Sequence, residues 1–195
     1  MLPDVTRKSL GDDIISVFSP WLEESEAIPL FKPLAIPGLI VRGAGLYRCS
    51  LVRDLYLFHT AFEAMYFASI NPQIKSCLGS TVFACTGYLP KPEQVLLMRQ
   101  AFTYAKLHLA FDKDVAGKVA DCKAALWWAG KDCRFISEDN AITCRYEGRK
   151  ITIPMDVFSL HRFKLQSGFR SDARTHKAPS GFTSYLDLFW YALKP

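Results

Sequence analysis

Between residues 51 and 138, short apolar runs take turns with segments of helical periodicity, and this alternation constrains the fold more than any other feature. "RDLYLFH" (53–59) is a compact apolar run with the aromatic content of a strand. "AFEAMYFASI" (61–70) has helical periodicity and stops at Asn71-Pro72. "STVFACTG" (80–87) reads as a second buried strand closed by Gly87. "KPEQVLLMRQAFTYA" (91–105) is an amphipathic helix with Pro92 in its first turn and Val95, Met98 and Phe102 on one face. "KLHLAFD" (106–112) is a third strand. "VAGKVADCKAALWWAG" (115–130) is a further amphipathic helix with Gly130 as its C-cap, and "CRFIS" (133–137) is a fourth strand. The order β-α-β-α-β-α-β predicts an α/β fold with a four-stranded, largely parallel sheet flanked by helices and joined by right-handed crossovers.

The flanks read differently. Residues 1–50 form an N-terminal extension, with a short helix over "GDDIISVFSPWLEE" that Pro20 ends or kinks. Within it, "GLIVRG" and "GLYRC" suggest a small β element. The core is expected over 51–138 and a basic C-terminal extension over 139–195. That extension starts with a hairpin, "AITCRY-EG-RKITIPM", turning at Glu147-Gly148. Helical pieces follow in "DVFSLHRFKLQSGFR" and "SYLDLFWYALK", around the polar loop "SDARTHKAPSG".

At the end of the third strand stand Asp112 and Asp114. Ligands of open parallel sheets bind outside the carboxyl ends of the strands. Residues two apart on a strand face the same way, so both carboxylates can address one point. Converging carboxylates repel unless a cation or proton neutralises them, and hard oxygen ligands suit magnesium. The competing reading is that Asp114 caps the following helix while Asp112 is solvated.

"DKDVAGKVA" reads D-x-D-x-A-G-x-x-A and resembles the metal-binding motif of the topoisomerase–primase (Toprim) domain, as found in bacterial-type primases and mobile-element proteins. The resemblance covers about residues 50–137. It implies a four-stranded parallel sheet flanked by helices, a glycine after the second strand, where Gly87 stands, and metal ligation by Asp112 and Asp114. In the family the first strand ends in a glutamate followed four residues later by an acid. Here "LYLFHTAFEAMYFA" puts His59 at the glutamate position and Glu63 at the second. The resemblance therefore implies Glu63, Asp112 and Asp114 as ligands of Mg2+ or Mn2+, and His59 with Glu63 as the catalytic groups. Histidine can shuttle protons near neutrality but is a poor magnesium ligand. The alternative for His59 is a strand-end imidazole bonded to backbone.

Charge points to a partner. The chain carries 24 Lys/Arg against 19 Asp/Glu. The two signs balance up to residue 140, so the surplus lies in the last quarter. There "HRFKLQSGFRSDARTHK" interleaves cations with Phe163 and Phe169, the composition of a single-strand-binding surface. Candidate phosphate contacts are Lys113, Lys118, Arg162, Lys164, Arg170, Arg174 and Lys177, with a solvated basic face as the alternative. The expected partner is nucleic acid, DNA ahead of RNA and single-stranded DNA included, with other replication or mobilisation proteins.

Several classes are excluded. No run is long and apolar enough to span a membrane, and no secretory signal is expected of "MLPDVTRKSLGDD". The six cysteines include no C-x-x-C pair, so a zinc site is not expected and a reducing cytoplasm is. There is no Walker-type loop and no usable Ser-His-acid spacing. The expected function is that of a Toprim-like nucleic-acid-associated protein of a mobile element or phage, with metal-dependent phosphodiester chemistry of primase or nuclease type. The alternative is a catalytically inactive Toprim-like accessory that binds DNA or a partner. A third possibility is an α/β enzyme acting on a small phosphorylated molecule.

Overall fold

A computed structural model describes residues 40–42, 51–75 and 80–193. The helix expected over 11–24 and the strand over 45–49 lie outside the described residues. In chain order the elements are β1 (Ile40–Arg42), β2 (Asp54–Phe58), α1 (Ala61–Ile70), α2 (Pro72–Lys75), β3 (Thr81–Cys85), α3 (Pro92–Ala101) and β4 (Lys106–Leu109). They continue with α4 (Val115–Trp128), β5 (Phe135–Glu138), β6 (Ala141–Tyr146), β7 (Arg149–Pro154), α5 (Leu160–Ser167), β8 (Arg174–Thr175) and α6 (Tyr185–Ala192).

The main sheet has the order β1-β3-β2-β4-β8. Strands β3, β2, β4 and β8 run parallel, and β1, in the expected "GLIVRG", adds an antiparallel edge on β3. Alternation along the inner strands divides the core between the two faces of the sheet. Leu55, Leu57, Val82, Ala84, Leu107 and Leu109 pack with Val95, Met98 and Phe102 near α3 and with Ala124 to Trp127 of α4. Tyr56, Phe58, Phe83 and Cys85 pack on the other face with Tyr66 and Phe67 of α1 and Tyr185 and Leu188 of α6. Cover on both faces explains why these strands are apolar throughout instead of alternating with polar residues.

The helices start where the sequence supplies caps. Thr60 and Glu63 form a capping box at α1, Asp114 caps α4, Ser159 caps α5 and Ser184 caps α6. Gly130, at φ 72°, turns the chain out of α4 as expected.

The fourth strand is a correction. "CRFIS" does not join the parallel sheet. Its β5 pairs antiparallel with β6, which pairs with β7 in a separate three-stranded sheet. Only Phe135 of β5 is partly buried, whereas a strand inside a parallel sheet needs two apolar faces. The fourth parallel position goes to β8, two exposed residues from the loop "SDARTHKAPSG". The hairpin turn at Glu147-Gly148 is as expected, with φ 48° and 80°, both in the left-handed region that a two-residue turn needs.

Strand β2 lies between β3 and β4. The chain leaves β2 to one side, through α1 to β3, and later returns to its other side as β4. That reversal is a topological switch point, the place outside the carboxyl ends of the strands, here β2 and β4, where open parallel sheets bind ligands.

Candidate functional site

The residues that follow β2 and β4 meet at the switch point. Backbone pairing continues past the strand ends, with Ala110 N–H on Leu57 O at 2.9 Å, Thr86 N–H on Phe58 O at 2.9 Å and Gly87 N–H on His59 O at 3.0 Å. These bonds hold three loop starts in register. Beyond them stand His59, Glu63 and Asp112.

Glu63 is buried in the first turn of α1, where its Oε2 accepts from Thr60 N–H at 2.9 Å. Burial pushes its carboxyl up to about 7, against the Thr60 bond, and the charge of Asp112 adds to the rise. Burial likewise raises Asp112, with His59 and Lys177 opposing the shift and Asp114 reinforcing it. The Glu63 and Asp112 carboxyls lie within hydrogen-bonding reach of each other, so one proton can be shared between them. Asp112 Oδ1 is buried and has no hydrogen-bond partner among the described residues.

His59 is fixed on both sides. Its Nδ1 lies 3.1 Å from Gly87 O, and a carbonyl can only accept, so Nδ1 carries the proton and Nε2 is left as the free acceptor. Its ring is stacked on Tyr88 at 5.4 Å and tilted on Phe111 at 4.6 Å. The backbone-bonded imidazole foreseen as the alternative is thus present, with one nitrogen to spare.

Asp114 is exposed, and its Oδ1 accepts from Gly117 N–H at 2.7 Å, so it is a helix cap with one free oxygen. The cap brings α4 onto the backbone of Asp112 at Gly117. Among the described residues, no three His, Cys, Asp or Glu side chains are grouped so as to hold a metal ion by themselves.

The candidate phosphate contacts divide into two sets. Lys113 Nζ donates to Pro179 O, and Lys164 Nζ donates to Ser171 O at 2.8 Å and Ala173 O at 2.9 Å. Lys177 Nζ is bonded to Asp121 and to the carbonyls of Phe111 and Asp112 in the loop after β4. Lys118 is half-buried on α4, while Arg162, Arg170 and Arg174 are exposed. The two phenylalanines read as base-stacking rings require correction. Phe163 and Phe169 are both buried, packed with Tyr146, because α5 turns its apolar edge onto the core.

Two clusters have no counterpart in the sequence reading. Asp121 of α4 is 1 % exposed and forms an ion pair with Lys177. Its signal was a lone acid on an apolar helix face. The second is a chain across the sheet, in which His108 Nε2 lies 2.9 Å from Asp54 Oδ1 and His108 Nδ1 lies 2.8 Å from His176 Nε2. Tyr56 is stacked on His108 at 4.3 Å. Asp54, Tyr56 and His108 sit at alternate positions of neighbouring strands, but His176 enters only with β8, which no pattern announced.

No family model matches the chain, and no curated protein or solved structure matches it either.

The buried acids and histidines predict a particular pH response. Glu63 and Asp121 hold protons up to about 7 in the folded chain, because both are buried, against 4.5 and 3.8 as ordinary values. Between those limits the folded state binds more protons, so stability falls as pH rises. His176 acts in the opposite sense. Burial, with His108 and Arg174, lowers it from 6.5 to about 4, so in that window the unfolded state binds more protons and stability rises with pH. The two effects oppose each other, and above about 6.5 the carboxyls outweigh what remains of the histidine effect. In EDTA, urea unfolding is expected to show a net loss of about 1 kcal/mol between about pH 6.5 and pH 8. Glu63→Gln should remove more than half of that loss. A wild-type stability that climbs over the same range would contradict the assignment.

Proposed function

We propose that the chain is a Toprim-like, nucleic-acid-associated protein whose switch-point cluster takes a divalent cation, Mg2+ or Mn2+, for phosphodiester chemistry. One observation carries the reading: the buried carboxyl of Glu63 and the half-buried carboxyl of Asp112 interact beyond the carboxyl ends of adjacent parallel strands, and the buried Asp112 Oδ1 has no partner among the described residues. A shared proton is what such a pair holds when no cation is present. Magnesium is commonly held by one or two carboxylates, with waters and substrate phosphates completing its shell, so the Glu63–Asp112 pair suits it without a third protein ligand. When bound, the cation supplies Lewis-acid charge to a phosphoryl oxygen.

The chain's own residues do the rest. Thr60 N–H fixes the Glu63 carboxyl through the capping box. Gly87 O fixes the ring of His59 and leaves Nε2 free to accept a proton. Phe111 and Tyr88 close over that ring and keep water from its faces. Exposed Arg162, Arg170 and Arg174 are free to meet phosphates.

A second reading, an accessory that binds DNA or a partner without turnover, is favoured by the packing of His59. The ring stands where the family has a glutamate and is 3 % exposed.

Calorimetric titration of magnesium and manganese separates the two readings. Saturable binding is expected in the wild type and its loss in Asp112→Asn, together with any magnesium-dependent cleavage or primer synthesis on single-stranded DNA. A wild type that binds neither ion, yet binds DNA in a salt-sensitive and EDTA-indifferent way, would establish the accessory instead.

A further inference from the structure

Lys177 points into the protein. Its Nζ donates to Phe111 O and Asp112 O, each at 2.9 Å, and to Asp121 Oδ2 at 2.6 Å. An ammonium has three N–H donors, and these acceptors use all of them, so none is left for a phosphate. Asp121 is 1 % exposed, and its Oδ1 has no partner among the described residues. Two carbonyls and a carboxylate around one positive charge form the kind of oxygen set that hard cations take.

The charge is delivered with care for position. His176 N–H donates to Leu109 O at 2.7 Å, continuing the pairing of β8 with β4, and Lys177 follows directly. Farther on, Lys113 N–H donates to Thr183 O at 2.8 Å. The segment 176–183 therefore grips the loop after β4 on both sides of Asp112. Lys177 acts on Asp112 electrostatically, opposing the effect of its burial.

We propose that Lys177 is a tethered cation. Its ammonium fills a second cation position beside the Glu63–Asp112 pair, so the cluster takes one divalent ion and not two. The count of one rests on the reading of that pair as a divalent-cation site. The oxygen cage around Lys177 stands apart from it. In two-metal phosphodiester sites the second ion stabilises charge on the reacting oxygens, and here a fixed ammonium supplies that field without touching the substrate. A mere tether makes a different prediction, because any side chain of similar length would serve.

Chemical rescue decides the matter. Lys177→Ala removes the equivalent of propylammonium and leaves the Phe111, Asp112 and Asp121 oxygens facing an empty position. Adding about 0.1 M propylammonium is expected to raise the melting temperature of this variant by about 4 °C over the same concentration of tetramethylammonium, which is too large to enter. Potassium is expected to give a smaller rise. The wild type and Lys177→Ala/Asp121→Leu, which lacks the carboxylate of the cage, should not respond. If Lys177→Ala is unfolded in buffer, recovery of its native circular dichroism on adding the amine is the equivalent readout. Absence of any amine-specific effect in either form overturns the proposal. So does a wild type that takes up two divalent ions per chain. Amine rescue in a protein that binds no divalent ion would uphold the tethered cation and overturn the metal reading of the carboxyl pair.

Discussion

Phe163→Ala is expected to cost about 4 kcal/mol of stability and to lower the melting temperature by about 10 °C. The ring is fully buried and lies within 5.4 Å of Phe135, 5.7 Å of Tyr146 and 6.0 Å of Phe169. It therefore joins α5 to both strands of the β5–β6 hairpin and to the segment that leads on to β8. Truncation removes the transfer energy of a large aromatic and leaves a cavity that rigid neighbouring rings cannot close. Its sequence neighbours Arg162 and Lys164 give the same ring another meaning, as a platform for an unpaired base. The two meanings have opposite signatures. A core residue loses stability and leaves any single-stranded DNA affinity of the folded protein unchanged. A stacking residue loses affinity, by about 1–3 kcal/mol, and leaves stability unchanged. Urea melts beside fluorescence anisotropy with an oligonucleotide measure both, and an unchanged melting temperature would sink the core assignment.

The same residue marks where sequence reading stops. Strands β2, β3 and β4 were legible because an interior parallel strand is apolar on both faces, which leaves an unbroken run. The fourth was not, because an edge strand is short and tolerates polar residues, and Arg174-Thr175 is hardly distinguishable from loop. "CRFIS" had the composition of a strand, but composition does not say which sheet it enters. The acids at the strand ends were legible for a similar reason: Glu63, Asp112 and Asp114 lie within a few residues of strand termini that the apolar runs define. Asp121 and Lys177 were not, since nothing in a local window shows that a lysine in a basic segment turns inward to meet an acid on a distant helix. The C-terminal charge surplus was real, but two of its lysines, Lys164 and Lys177, turn their ammonium groups to the protein's own oxygens, as Lys113 does outside it.

Gly117→Ala is expected to destabilise the chain by about 3 kcal/mol and to abolish the divalent-cation binding proposed at Asp112. In an ordinary helix the same change would stabilise by up to about 1 kcal/mol, since alanine has the higher propensity. The sign reverses because of what a Cβ would meet. It would stand 2.7 Å from Asp112 N and 2.8 Å from its carbonyl carbon, and closer still to its carbonyl oxygen. All three are backbone atoms, so no rotamer change relieves the contact. The strand end cannot recede easily, because Asp112 O is held by Lys177 Nζ at 2.9 Å. The helix cannot recede without pulling Gly117 N–H off Asp114 Oδ1, which caps it at 2.7 Å. Relief therefore moves one acid or the other, and with it the geometry between Asp112 and Glu63. Exposed Ala116, one residue earlier, meets no such wall, and Ala116→Gly should cost only the usual helix penalty of about 1 kcal/mol with cation binding intact. Thermal melts and magnesium titrations of the two variants side by side test this directly. If Gly117→Ala melts at or above the wild-type temperature, α4 does not press on Asp112. If it melts lower and still binds the ion, the packing holds but the acids do not depend on it. Loss of both would tie the glycine of D-x-D-x-A-G to the carboxylates before it: the helix must start close enough for Asp114 to cap it, and only a residue without a side chain lets it come that close to Asp112.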